Sequence, residues 1–83
     1  MDACGLFIDM PPGQPVGAGD WVATEAGSRY LVTSARQVKR RKPSPAVRYA
    51  LACARLPRHE PVPADITCHW LSWYPRTKHR TRV

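Results

Sequence analysis

Prolines divide this chain into short segments, and that division limits the folds open to it. Nine prolines occur in 83 residues, and eight of them fall within residues 10–19, 43–45 and 57–65. Proline removes a backbone donor and interrupts both helices and central strands. The segments between these clusters therefore favour short elements joined by turns, in a single small domain with a thin core.

The strongest strand signals lie on either side of a short turn. Residues 20–24 (DWVAT) alternate between two faces, and residues 29–38 are rich in β-branched and aromatic side chains. Gly27 lies between them, in a turn where a positive φ favours glycine. This pattern predicts a β-hairpin.

Three further segments follow the hairpin. Residues 39–45 (KRRKPSP) predict an exposed loop, because two prolines and four adjacent cations disfavour pairing. Residues 47–56 (VRYALACARL) fit a strand face or a helical stripe, and the neighbouring strands favour the strand. Residues 66–74 (ITCHWLSWY) predict another strand, with large apolar groups on both faces; we assign Trp21 and Trp70 to the core.

Together these elements predict an all-β fold, a small SH3-like barrel of four to five short strands. We expect an extended Pro/Gly-rich N-terminal arm over residues 1–19, the barrel over residues 20–75 and a basic tail over residues 76–83.

A family resemblance agrees with this expectation. The segment VGAGDWV (residues 16–22), followed by a glycine-containing turn and Tyr-Leu-Val at residues 30–32, resembles the opening Gly-Asp-x-Val hairpin of SH3-like and KOW-type barrels. The short chain, its preference for Arg over Lys and the WYPR sequence before the tail also resemble small proteins encoded by phages and prophages. That resemblance implies a bacterial cytoplasmic or virion-associated protein.

Charge is distributed unevenly along the chain, which has a net charge of +7. No Lys or Arg precedes Arg29, whereas residues 29–58 contain nine cations and no acid. Such a balance predicts a polyanionic partner, DNA or RNA, or an acidic protein surface.

Basic residues interleaved with aromatic ones favour nucleic-acid binding, since cations neutralise phosphates and exposed rings stack on unpaired bases. Candidate nucleic-acid contacts are Arg36, Lys39, Arg40, Arg41, Lys42, Arg48, Arg76, Lys78 and Arg80, with Tyr30, Tyr49 and Trp73 as candidate stacking platforms.

Catalytic and metal-binding patterns are weak. Cys68 and His69 are neighbours, but adjacent residues on a strand point to opposite faces and cannot form a dyad. The sequence lacks the close Cys and His spacings of zinc sites and any phosphate-binding glycine loop. We therefore expect no enzyme activity, no cofactor, no metal and no small-molecule substrate.

The cysteines and the N-terminus bear on the compartment. Three cysteines cannot form a complete disulfide set, and residues 1–12 lack the pattern of a signal peptide. We expect a reducing compartment, with no membrane span and with the thiols as small buried hydrophobes.

An alternative function is a virion structural or assembly protein. The predicted arm, its apolar residues 6–8 and the two-faced strand at residues 66–74 would suit contacts with neighbouring subunits, in a homo-oligomer or a larger assembly.

Overall fold

Six strands and no helix make up the described part of the chain in the computed structural model, which describes residues 3–72 and the backbone of residues 76–77. The strands are β1 (Ala3–Met10), β2 (Trp21–Thr24), β3 (Arg29–Val38), β4 (Val47–Leu56), β5 (Cys68–Leu71) and β6 (Arg76–Thr77). The all-β prediction is confirmed.

The strands form one mixed sheet in the order β5-β2-β3-β4-β1-β6. Strands β2 and β5 pair in parallel, and the other pairs are antiparallel. The predicted β2–β3 hairpin is present, with Gly27 at a φ of 107° in its turn. Residues 47–56 form β4, so the strand alternative is correct, and residues 39–46 connect β3 to β4.

The predicted N-terminal arm is wrong for residues 3–10. These residues form β1, which pairs with β4 from Ala3 opposite Ala54 to Met10 opposite Val47. Apolar side chains at every second position supply the reason: Leu6, Ile8 and Met10 are buried in the core. The domain therefore includes residues before residue 20. The prolines at positions 11, 12 and 15 lie in the loop between β1 and β2.

Alternation along the strands gives the sheet an inner and an outer face. The inner face holds the core, which includes Leu6, Ile8, Val22, Val32 and Leu51, with Val16 added from the β1–β2 loop. A single sheet can enclose so many side chains only by curling, and a register shift between Val32 and Ser34 provides a local bend.

The outer face lies on the other side of the same strands. By register it carries Leu31, Ser34, Arg36 and Val38 of β3, Arg48, Ala50, Ala52 and Ala54 of β4, and Gly5, Phe7 and Asp9 of β1. Most of these side chains are small. The centre of the outer face is therefore a shallow surface with charged groups toward one end.

The two tryptophans assigned to the core differ. Trp21 is 9% exposed, in agreement with the prediction, whereas Trp70 is 59% exposed, so its assignment to the core is wrong. Trp70 lies opposite Ala23 in the β2–β5 pair, on the outer face, while His69 and Leu71 point inward. The alternation of β5 thus directs the largest side chain of the strand outward.

Candidate nucleic-acid interface

One carboxylate organises the cations near the β3–β4 loop. Asp9 of β1 lies directly opposite Arg48 of β4 in the register. Arg48 donates from Nε to Asp9 Oδ1 at 3.0 Å and from Nη2 to Oδ2 at 3.4 Å, and Arg40 of the loop donates from Nη1 to Oδ1 at 2.5 Å. The hydrogen bond from Arg48 lowers the pKa of Asp9, and Arg40 adds to this against the opposing effect of burial. The loop is thereby tied to the sheet.

The chain around this carboxylate forms a basic depression, defined by Arg40, Arg41, Lys42 and Arg48. Arg41 and Lys42 are exposed, whereas Arg40 and Arg48 are about three-quarters buried at the side chain. Arg40 Nε is buried and has no hydrogen-bond partner among the described residues. The depression therefore contains two cations that Asp9 holds in place and two that are exposed to solvent.

The remaining predicted contacts fall into three groups. Arg36 is exposed on the outer face beside Ala50, and Lys39 is exposed at the start of the loop. The backbone of Arg76 lies in β6, opposite Phe7 of β1. Lys78 and Arg80 lie outside the described residues. The structure thus brings four predicted contacts together in the depression and places Arg36 and Lys39 next to it.

Two of the predicted stacking platforms, Tyr30 and Tyr49, are not on this surface. Tyr30 is 7% exposed and belongs to the core, with Arg55 over its ring at 5.9 Å, so the prediction for Tyr30 is wrong. Tyr49 packs against the core on the inner face, away from Arg36 and Arg48. Both rings fill the thin core of a small domain. Trp73 lies outside the described residues.

At the opposite end of the β3–β4 hairpin, Arg29 is bonded to backbone groups and is not available in the way that the loop cations are. Arg29 donates to the carbonyl oxygens of Glu60, Thr24 and Ser28 at 3.0 to 3.2 Å. Its guanidinium also lies 5.1 Å from the centre of the Trp70 ring. Arg29 therefore ties strands and loops together, a role that its charge alone does not indicate.

A carboxylate–imidazole pair joins the β1–β2 loop to β5. Asp20 Oδ2 accepts hydrogen bonds from His69 Nε2 at 2.9 Å and from the Gly17 amide at 3.0 Å. His69 is a buried polar residue, with only 9% of its surface exposed. Its strand neighbour Cys68 lies on the opposite face. The pair therefore joins the β1–β2 loop to β5 by a side-chain hydrogen bond.

Two of the three thiols, Cys53 and Cys68, have surroundings that oppose ionisation. Burial raises the pKa of Cys53 to about 12, and burial also raises the pKa of Cys68, against the opposing charge of Arg29. Both thiols are protonated near neutral pH and are poor nucleophiles. Within the described ranges, no group of three or more His, Cys, Asp or Glu side chains is placed to hold a metal ion.

Comparison with known proteins adds no relationship. No family model matches the chain, and neither the curated proteins nor the solved structures contain a significant match. Residues 3–72 and 76–77 include no helix with the length and apolar composition needed to cross a bilayer.

Proposed function

We propose that this protein binds nucleic acid through the basic depression and the cations beside it. The observation that carries the proposal is the lining of the depression: four cations, with Asp9 as the one described acid hydrogen-bonded to them. Four positive charges and one negative charge leave a local excess of three. Phosphate groups are the ligands that such an excess attracts, and their binding releases counterions.

The geometry supports phosphate binding better than diffuse attraction. Asp9 holds the guanidinium groups of Arg40 and Arg48 in place, so less side-chain entropy is lost when an anion binds. Arg41 and Lys42 extend from the same loop into solvent and can adapt to the backbone of the ligand. Fixed and adaptable cations together suit binding to a nucleic-acid backbone without sequence specificity.

The assembly alternative loses part of its support. It relied on a free N-terminal arm whose apolar residues would join a partner's sheet. Residues 3–10 are instead paired with β4, and β6 pairs with part of the other edge of β1. Since one edge of β1 is paired along its whole length with β4, these residues are not a free arm that could join a partner's sheet.

Fluorescence anisotropy with labelled single-stranded and double-stranded oligonucleotides, over about 50 to 300 mM salt, tests the proposal. The wild type should bind with an affinity that falls log-linearly with salt. Arg41→Ala with Lys42→Ala should weaken binding and reduce the salt slope by about 2, because two phosphate contacts are lost.

A matched control removes the same charge elsewhere. Arg55→Ala with Arg58→Ala also lowers the net charge by two, at the opposite end of the hairpin, where both side chains are exposed. This variant should retain most of the affinity and of the salt slope. Equal losses in the two variants would mean that only total charge matters, and absence of binding by the wild type would overturn the proposed function.

A further inference from the structure

Trp70 is a large exposed aromatic ring at a place where burial would be expected. It is the one large hydrophobic residue that is exposed among the described residues, at 59%. It lies on β5, an edge strand of the described sheet, and faces outward beside Ala23. Burial of a tryptophan contributes strongly to a thin core, and here the ring is instead left as an apolar surface that a ligand can cover.

The ring is held in position from one side. Arg29 lies across Ala23 from Trp70 in the register, and its guanidinium is 5.1 Å from the ring centre. Three backbone carbonyl oxygens hold that guanidinium, and Ala23 between the two side chains is fully buried. A cation–π contact with a fixed cation orients the ring before any ligand arrives. The solvent-exposed part of the ring remains open for stacking.

The outer face of β3 and β4 extends from the end of the sheet that carries Trp70 to the basic depression. Along the outer face of β3 and β4 lie Ser34, Ala52 and Ala54, with Arg36 between them and the depression. Strand β3 has ten residues, so its two ends are about 30 Å apart at 3.3 Å per residue. A stacked single strand of about eight nucleotides, at 3.4 Å each, covers this length. Asp9, the acid at the depression end of this path, is already paired with Arg40 and Arg48.

We infer that the outer face of the sheet binds a single strand of RNA or DNA, with one base stacked on Trp70 and the phosphates directed along Arg36 to the basic depression. The inference rests on the proposed function and adds to it the strandedness of the ligand and the residue that contacts a base. Unpaired bases are required, because a duplex hides their faces from an aromatic ring. The small side chains of the outer face give the bases room to approach the sheet.

Binding of two labelled decamers tests the inference: oligo-dT, and an abasic decamer with the same phosphates and no bases. Trp70→Ala should weaken oligo-dT binding about 5- to 150-fold, the usual effect of losing one stacked base, and should leave abasic binding unchanged. Trp70→Phe keeps a ring and should restore most of the affinity. Photo-crosslinking of the wild type to a 5-iodouracil decamer should attach the oligonucleotide at Trp70, which requires no variant to fold.

The outcomes separate the inference from the proposed function. Equal weakening of both decamers by Trp70→Ala, or a crosslink only at other residues, would overturn the stacking site. If Trp70→Ala has no effect while Arg41→Ala with Lys42→Ala still weakens binding, the stacking site is wrong and the proposed function stands. If neither decamer binds the wild type, the stacking site is wrong, and binding of double-stranded oligonucleotides then decides whether the proposed function stands.

Discussion

Arginines lie at both ends of the β3–β4 hairpin, in different surroundings. At the loop end, Arg40 and Arg48 share Asp9, while Arg41 and Lys42 are exposed. At the other end, Arg29 is occupied by three carbonyl oxygens and by the Trp70 ring. The comparison shows that a run of cations in a sequence combines two populations, one that is exposed to solvent and one that holds strands and loops together. The partners of each guanidinium distinguish them.

The largest expected effect is at Gly27, in the turn beside Arg29. Gly27 has a φ of 107°, and a Cβ there would lie 2.5 Å from Cε1 of His59. Gly27→Ala should lower the free energy of unfolding by about 2 to 4 kcal/mol, from backbone strain and a clash with the ring. Urea denaturation measures this loss.

Gly13→Ala is a matched control for that variant. Gly13 has a φ of 85°, but a Cβ there would meet nothing within 4 Å. The strain of a positive φ remains, and the clash is absent, so we expect a loss of about 1 kcal/mol. If the two variants are equally destabilised, the packing of His59 over Gly27 contributes nothing.

Replacing Arg29 and Arg36 tests the two populations directly. Arg29 belongs to the group bonded within the fold, and Arg36 belongs to the exposed group. Arg29→Ala leaves the carbonyl oxygens of Thr24, Ser28 and Glu60 without this donor and should cost about 1 to 3 kcal/mol of stability. Arg36 is exposed, and its replacement by Ala should change stability by less than about 0.5 kcal/mol.

Urea denaturation of both variants, beside their oligonucleotide affinities, completes this comparison. Arg36→Ala should weaken binding while the unfolding midpoint stays constant. Similar unfolding midpoints for the two variants would mean that the hydrogen bonds of Arg29 do not stabilise the fold, and the distinction between the two ends would be lost.

Local patterns were sufficient for much of the fold. Alternation and turn chemistry predicted β2, β3 and the turn at Gly27, and the proline-bounded run at residues 47–56 favoured the strand that became β4. The same rules missed β1, because proximity to the prolines obscured the alternation of Leu6, Ile8 and Met10. The β5 face was misjudged because its parallel pairing with β2 joins segments more than 40 residues apart. Register across that distance is a tertiary property.

The candidate site was predictable only in part, for a similar reason. The cations of residues 39–42 are visible as a cluster, and their exposure follows from charge and proline. Their organising partner Asp9 is more than 30 residues away, and only the β1–β4 register brings it opposite Arg48. The exposure of Trp70 has the same origin, since tryptophan composition alone favours the core. Pairing between distant strands decides which side chains meet.

The smallest expected effect concerns Asp9. Its ion pairs with Arg40 and Arg48 reduce the repulsion among the cations at the loop end of the hairpin. The Arg48 hydrogen bond lowers the pKa of Asp9 from its ordinary value, so its contribution to stability is present above the ordinary carboxyl pKa, about pH 4, and is lost as pH falls through the lowered pKa. Asp9→Asn should cost at most about 1 kcal/mol at pH 7, since the pair is partly solvated. Its unfolding free energy should then vary less than that of the wild type between pH 5 and pH 2.5.

Urea midpoints at several pH values over that range measure the difference between the two proteins. Asp65→Asn removes an exposed acid from the loop between β4 and β5 and provides the control. If Asp9→Asn and Asp65→Asn have the same pH profile, Asp9 does not organise the cations of the depression. A profile that flattens only in Asp9→Asn means that one carboxylate holds Arg40 and Arg48 in place at the end of the hairpin that we propose binds phosphate.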